Sequence, residues 1–224
     1  MSVKNYILLG PPGSGKSTQA KNLQETFGLA HIDIGSEMRA VAKEDTSFGR
    51  NLNEIINQRH ELASNEIMSA VLEQALKRVP ENAGVLIDGA PRNVPQIEAV
   101  LQALHHFERS IEKVIFISIS EEDAVERISK RYLCLDCLRP YILGQDIFNA
   151  ETKCGVCGGA IGQRPDDTPA GVRKRYQIFY SATLPVIEHF EKEHLLVRVD
   201  GHRSADEVFR NIASGIGQSL QETL

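Results

Sequence analysis

The chain has 224 residues, 42% of them hydrophobic and 25% charged, with a net charge of −5 at pH 7. That balance suits a globular domain with a substantial core and excludes collagen, coiled-coil, disordered and membrane-spanning classes. A net-acidic chain is also a poor general coat for nucleic acid, whose affinity comes from neutralising phosphates.

In chain order, the apolar run 6–9 is halted by Gly10-Pro11-Pro12-Gly13 and predicts a buried strand. A helix follows over 17–27, then a strand over 29–32. Residues 36–66 read as a helical insertion, with one helix near 52–56 and another beginning at 65 and running to 78. A strand over 85–89 and a helix over 94–104 come next. A strand over 114–119 leads into a helix over 121–129, and Arg127 and Arg131 are predicted one turn apart on its face. Residues 132–163 are rich in Gly and Cys and interrupt the rhythm. A helix over 172–191, a strand over 195–199 and a helix over 205–219 complete the chain. Strands alternating with helices predict an α/β fold, a parallel sheet flanked by helices on both faces. The insertions 36–66 and 132–163 are expected over the carboxyl edge of that sheet, where ligands bind in open α/β folds. The expected domain is single, 1–224, with its core in 1–35, 67–131 and 164–224. The start of the chain, 1–6, lacks the layout of a signal peptide, so a cytoplasmic location is expected.

Gly10-Pro11-Pro12-Gly13-Ser14-Gly15-Lys16-Ser17 matches G-x-x-x-x-G-K-[ST] after a predicted strand and at the opening of a predicted helix. Gly13 and Gly15 allow backbone N–H groups to turn inward around phosphate oxygens. The helix N-terminus adds partial positive charge. Lys16 has the reach for terminal phosphates, and the Ser17 hydroxyl suits Mg2+. The loop predicts nucleotide binding but does not choose between a hydrolase, a switch and a kinase.

The four cysteines, Cys134, Cys137, Cys154 and Cys157, form two C-x-x-C pairs with sixteen residues between them. That spacing fits a closed tetrahedral structural Zn2+ site. A redox dithiol is the rival, since C-x-x-C alone carries that chemistry too. A zinc-knuckle nucleic-acid binder would surround its knuckles with basic and aromatic residues, whereas this chain is acidic and 6% aromatic.

From residue 10 to residue 203 the sequence resembles the adenylate kinases, within the nucleoside monophosphate kinases, of the long type with a zinc-bearing lid. Asp88-Gly89-Ala90-Pro91-Arg92 resembles D-G-F-P-R, Gly35-Ser36-Glu37-Met38-Arg39 resembles G-D-x-x-R, and Gln163-Arg164-Pro165-Asp166-Asp167 resembles Q-R-x-D-D, with Arg175 eleven residues beyond Arg164. The resemblance implies transfer of a phosphoryl group from ATP to AMP with Mg2+, giving two ADP, in a monomeric enzyme that needs neither nucleic acid nor membrane. It assigns ATP to Gly13, Ser14, Gly15, Lys16, Ser17, Thr18, Arg127 and Arg203, and Mg2+ orientation to Ser17 and Asp88. It assigns AMP to Ile34, Arg39, Ala63, Gly89, Arg92, Gln96, Arg164 and Arg175, and catalysis to Lys16, Arg131, Arg164 and Arg175. Asp166 and Asp167 would brace lid arginines, and the loop from Asp200 to Arg203 would meet the donor adenine. Residues 36–66 are then the acceptor-binding insertion and 132–163 the lid, with Zn2+ on its four cysteines.

The departures from the family pattern gather on the acceptor nucleoside. Ile34 stands for a threonine, Ser36 for an aspartate and Ala90 for a phenylalanine, and the turn at 58–62 differs. Asn93 resembles the UMP/CMP kinases, whereas Gln96 points to AMP. Another monophosphate acceptor and a P-loop NTPase are the alternatives.

Overall fold

The computed structural model describes residues 3–58, 63–137, 139–149, 152–164 and 166–218. Its main sheet consists of β1 (Asn5–Leu9), β2 (Ala30–Asp33), β3 (Val85–Asp88), β4 (Ile111–Ser118) and β8 (Leu196–Asp200), in the order β2-β3-β1-β4-β8. Every pairing in it is parallel. Parallel strands need crossovers, and helices supply them: α1 (Lys16–Phe27), α4 (Asn65–Leu76), α5 (Pro95–His106), α6 (Glu121–Ser129) and α7 (Pro169–Lys192); α8 (Ala205–Gly215) follows the last strand and packs back on the sheet.

Side-chain alternation along the strands divides the core. Ile7 and Leu9 of β1 point to one face and pack with Met68, Leu72, Ile97, Val100, Val186, Ile187 and Phe190 from α4, α5 and α7. Tyr6 and Leu8 point to the other and pack with Leu23 of α1 and Val208 and Ile212 of α8. Burial on both faces explains why these strands read as unbroken apolar runs.

Between β2 and α4 lie α2 (Ile34–Val41), α3 (Ser47–Asn53) and one π-helical turn (Glu54–Gln58). The helix expected over 52–56 therefore starts earlier, because Thr46 caps α3 by accepting from the Gly49 N–H, and its end passes into the wider turn. Val41, Ala42, Leu52, Ala63 and Val71 give this region its own small core. The expectation for the 58–62 turn falls, from residue 59 onward, outside the described residues.

A second, antiparallel sheet follows α6. It comprises β5 (Arg131–Cys134), β6 (Pro140–Ile142) and β7 (Ile161–Gly162), in the order β6-β5-β7. No helix among the described residues is long and apolar enough to cross a membrane.

Candidate active site

The carboxyl ends of the main-sheet strands carry one polar group after another. Asp33 ends β2, Asp88 ends β3, the phosphate loop follows β1, and Asp200 ends β8. The strand order reverses direction around β1, the switch point where α/β sheets open a crevice.

Gly13 and Gly15 hold φ of +79° and +89°, left-handed values that a side chain would strain. Lys16 donates from Nζ to the carbonyls of Gly10 (2.6 Å) and Pro11 (3.1 Å). It is half-buried, yet protein atoms crowd its ammonium, and that desolvation lowers its pKa. Asp88 opposes the shift, and the next charges acting on it are Arg92, Asp33 and Arg131. Ser17 and Thr18 are exposed in the first turn of α1. Ser14 is buried, and its Oγ has no hydrogen-bond partner among the described residues.

On the β2–β3 side, Asp33 and Asp88 are register partners. His31 Nε2, otherwise unpartnered among the described residues, lies 3.7 Å from Asp88 Oδ2. Arg92 donates from Nε to the Gly89 carbonyl at 2.9 Å, and the Ala90–Pro91 peptide beside it is cis. Crowding lowers the Arg92 pKa first, with Asp88 and Asp33 opposing and Arg39 adding to it. Gln96 is buried at the start of α5, where its Oε1 accepts from the Arg92 N–H at 2.7 Å. Asn93 Oδ1 accepts from the Gln96 N–H at 3.1 Å and so holds the first turn of that helix. Ile34 and Ala90 are both core residues, 2% and 0% exposed. Ala63 is buried in the small insertion core.

On the side of the small sheet the structure corrects one expectation. Arg131 is not on the helix face of Arg127: α6 ends at Ser129, and Arg131 opens strand β5. The helical period cannot continue because Tyr132 and Leu133 pair with β6. Asp167, whose side chain is fully buried, receives Arg131 Nη2 at 2.7 Å and Nε at 3.2 Å, and Arg175 Nη2 at 2.8 Å. Asp166 pairs with Arg175 Nη1 at 2.9 Å. Arg164 lies near enough to Arg131 and Arg39 that, after crowding, their positive charges lower its pKa. Thus Arg39, Arg131 and Arg164, which come from three separate segments, share one electrostatic field.

On the β8 side Arg127 donates from Nη2 to the Gly201 carbonyl at 2.7 Å. His202 bridges two carboxylates, with Nδ1 2.6 Å from Asp200 and Nε2 2.7 Å from Asp123. Arg203 is exposed, with Nε 3.4 Å from Asp200.

The four cysteines converge, their sulfurs all within 4.8 Å of one another. Cys134–Cys157 and Cys137–Cys154 sulfurs are 3.4 and 3.6 Å apart. A disulfide needs about 2.05 Å, whereas four sulfurs about 2.3 Å from a tetrahedral zinc lie roughly 3.8 Å apart. The donor set and spacing therefore fit Zn2+. The Tyr141 hydroxyl donates to Cys154 Sγ at 3.1 Å and accepts from the Gly155 N–H at 3.2 Å. It is the leading cause that brings the Cys154 thiol down to about 6.

Sequence reasoning missed Asp33, His31, Tyr141 and the bridging role of His202. Of these, only Asp33 carried a readable signal, as an N-cap residue ahead of a helix.

The sequence matches the adenylate kinase family model over residues 8–195. It is 36% identical over 217 residues to the adenylate kinase of Alkaliphilus oremlandii, covering 96% of this chain and 99% of that protein. It is 37% identical over 208 residues to the adenylate kinase of Pyrococcus abyssi, covering 93% of each. It is 35% identical over 208 residues to that of Thermosipho melanesiensis, covering 93% of this chain and 97% of the relative.

Proposed function

The chain belongs to the adenylate kinase family and is a nucleoside monophosphate kinase, and from that premise we propose that it moves the terminal phosphoryl group of ATP onto AMP, reversibly, giving two ADP. The observation that carries this reading is the gathering of Lys16, Arg39, Arg92, Arg131 and Arg164 in one field at the mouth of the phosphate loop. A hydrolase needs cations for the donor alone, whereas Arg39 and Arg92 stand on the opposite side, where a second phosphate has to be held.

Phosphoryl transfer asks the protein for alignment and charge neutralisation rather than covalent chemistry. In this reading Lys16 and the N–H groups of residues 13–18 hold the donor phosphates, and Arg127 and the loop from Gly201 to Arg203 hold its nucleoside. Arg39 and Arg92 hold the acceptor phosphate, for which planar guanidinium forks are well shaped. Arg131, Arg164 and Arg175 meet the transferred group, and Asp167 aims two of them. The acceptor is already an anion, so no general base is required. The residues fit hydrated Mg2+, with the buried Asp88 carboxylate and the Ser17 hydroxyl as hard oxygen ligands or water-holders. Bound with ATP, Mg2+ would offset phosphate charge. The segment 132–163 serves as the lid, held by structural Zn2+ on Cys134, Cys137, Cys154 and Cys157, and its closure would exclude water from the phosphoryl group. The segment 36–66 serves the acceptor. A cytoplasmic monomer acting on small nucleotides belongs to the same reading.

Ile34 and Ala90 lie in the core, and Asn93 is engaged with the first turn of α5. None of these departures supplies a pyrimidine-reading group, while Gln96 retains an amide suited to a purine edge. AMP is therefore the expected acceptor. The test is a phosphoryl-transfer assay with ATP and Mg2+ against AMP, GMP, UMP and CMP. Fastest turnover with AMP is expected. Faster turnover with UMP or CMP would overturn the acceptor assignment, and hydrolysis without any monophosphate stimulation would overturn kinase chemistry in this chain.

A further inference from the structure

The departure at position 36 leads to an arrangement specific to this chain. The family pattern G-D-x-x-R carries an aspartate there, and this chain has Ser36. The structure nevertheless brings a carboxylate to the Ser36 side chain from three residues earlier. Asp33 ends β2 and caps α2, with Oδ1 accepting from the N–H groups of Gly35 (2.9 Å) and Ser36 (3.2 Å). Its second oxygen, Oδ2, accepts from the Ser36 hydroxyl at 2.6 Å. That same hydroxyl oxygen accepts from Arg39 Nη2 at 2.9 Å. Arg39 Nη2 and Asp33 Oδ2 are 4.0 Å apart, so the serine stands between the ion pair.

We propose that Asp33 is the positioning residue for Arg39: it supplies, through the Ser36 hydroxyl, the carboxylate that the family pattern lodges at position 36. This rests on the reading of Arg39 as an acceptor-phosphate arginine.

The chemistry of the relay is directional. A hydroxyl has one proton to give and lone pairs to receive. Donating to a carboxylate polarises Ser36 and strengthens its acceptance from the guanidinium. One N–H of Arg39 is held in this way, and four of its five donors remain for a phosphate. The carboxylate is itself fixed by two backbone N–H groups, so the relay starts from a rigid point. The arrangement also keeps Asp33 from repelling the acceptor dianion directly, since Arg39 lies beside it. Burial raises the Asp33 pKa, but the Ser36 hydroxyl and N–H and the Arg39 charge outweigh it, so the net shift is downward and the carboxylate stays ionised. The other charges near this group are His31 on β2, Asp88 on β3, Lys16 on α1 and Arg92 after β3.

The test is steady-state kinetics with ATP and Mg2+ as donor and AMP as acceptor. Ser36→Ala breaks the relay and leaves the Asp33 cap in place. It should raise the AMP KM by roughly tenfold, as for a lost hydrogen bond to a charged group, with the ATP KM within about twofold of the parent. Asp33→Asn keeps an oxygen for the cap, removes the charge and should move the AMP KM the same way. The exchange Asp33→Ser with Ser36→Asp moves the carboxylate to the position the family pattern gives it and should bring the AMP KM back toward the parent value. In an Arg39→Ala background, Ser36→Ala should add nothing, because the two act as one unit. Unchanged AMP KM in Ser36→Ala, equal losses for both substrates, or full additivity with Arg39→Ala would overturn the proposal while leaving the kinase reading intact. If Arg39→Ala itself leaves the AMP KM unchanged, the acceptor role of Arg39 fails and the proposal fails with it. Absence of transfer to any monophosphate in the parent would instead defeat the functional reading first.

Discussion

Asp167 has no exposed side-chain surface, and it lies between two guanidinium groups that are about a quarter exposed. Its charge is what allows Arg131 and Arg175 to sit close together without repelling each other. Asp167→Asn would keep the shape and remove that charge. Each charge-assisted hydrogen bond contributes about 1.5–3 kcal/mol. If half of that reaches the transition state, turnover falls by roughly tenfold, and the donor dissociation constant moves much less. In the proposed reading Arg131→Ala removes a cation from the transferred group itself, and for such an arginine a loss on the order of 10³ in turnover is expected. Stopped-flow transfer together with equilibrium donor binding separates the two effects. Equal losses in binding and turnover for Arg131→Ala would mark it as a ground-state contact. The resemblance gave Asp166 and Asp167 as braces for lid arginines, but not that Arg131 and Arg175 share Asp167. Four-residue spacing put Arg131 on the face of α6, whereas strand pairing of Tyr132 and Leu133 ends the helix before it. A period describes a local preference, and the pairing of the small sheet overrides it.

Helix α7 spans twenty-four residues and touches three regions at once. Near its start, Arg175 meets Asp166 and Asp167 beside the lid. Eight residues on, about 12 Å along the axis, Thr183 is buried and donates to the Arg92 carbonyl at 2.9 Å. Beyond it, Val186, Ile187 and Phe190 enter the main core. The helix is thus a fixed strut between the lid side and the loop that carries Arg92. Thr183→Val keeps the volume and removes the hydroxyl, leaving the Arg92 carbonyl without that donor. A cost of about 1–3 kcal/mol is expected for an unsatisfied buried group. Calorimetry should show a lower Tm, and the AMP KM should rise more than the ATP KM. A fall in Tm with both KM values unchanged would confine Thr183 to stability. The sequence reading found the bulk of this helix, over 172–191. It could not find the Thr183 contact, which joins positions ninety-one apart in the chain. The start of α2 shows a complementary limit: the strand read over 29–32 stops short of Asp33, and that residue's capping geometry is plain only when the helix beginning at Ile34 is in place.

At the scale of the whole molecule, the two sheets rest on different sources of stability. The main sheet has apolar layers on both faces, while the small sheet has four buried residues in its cluster, Cys134, Ile147, Cys154 and Ile161, two of them cysteines of the proposed zinc site. Ordering about thirty residues costs roughly 1–2 kcal/mol each in backbone entropy, which so small a cluster cannot offset. A zinc on four thiolates supplies binding free energy on the order of 10 kcal/mol and becomes folding free energy. Chelation should therefore unfold the lid locally and leave the main sheet in place. Hydrogen exchange would show protection lost across Tyr132–Leu133 and Tyr141 and retained across Ile115–Ile117. Transfer should collapse, because Arg131 opens the small sheet and Arg164 follows it, whereas nucleotide binding at the phosphate loop should persist. Tyr141→Phe tests the same dependence without a full chelator challenge. It removes the hydroxyl that stabilises the Cys154 sulfur and braces the Gly155 N–H, and loss of such an outer partner typically weakens metal affinity by about 10- to 100-fold. Zinc should pass to a colorimetric chelator faster from this variant than from the parent, at equal main-sheet stability. Uniform loss of protection throughout the chain, or an unchanged lid after complete zinc removal, would show that the two sheets fold as one unit and that the metal does not hold the lid.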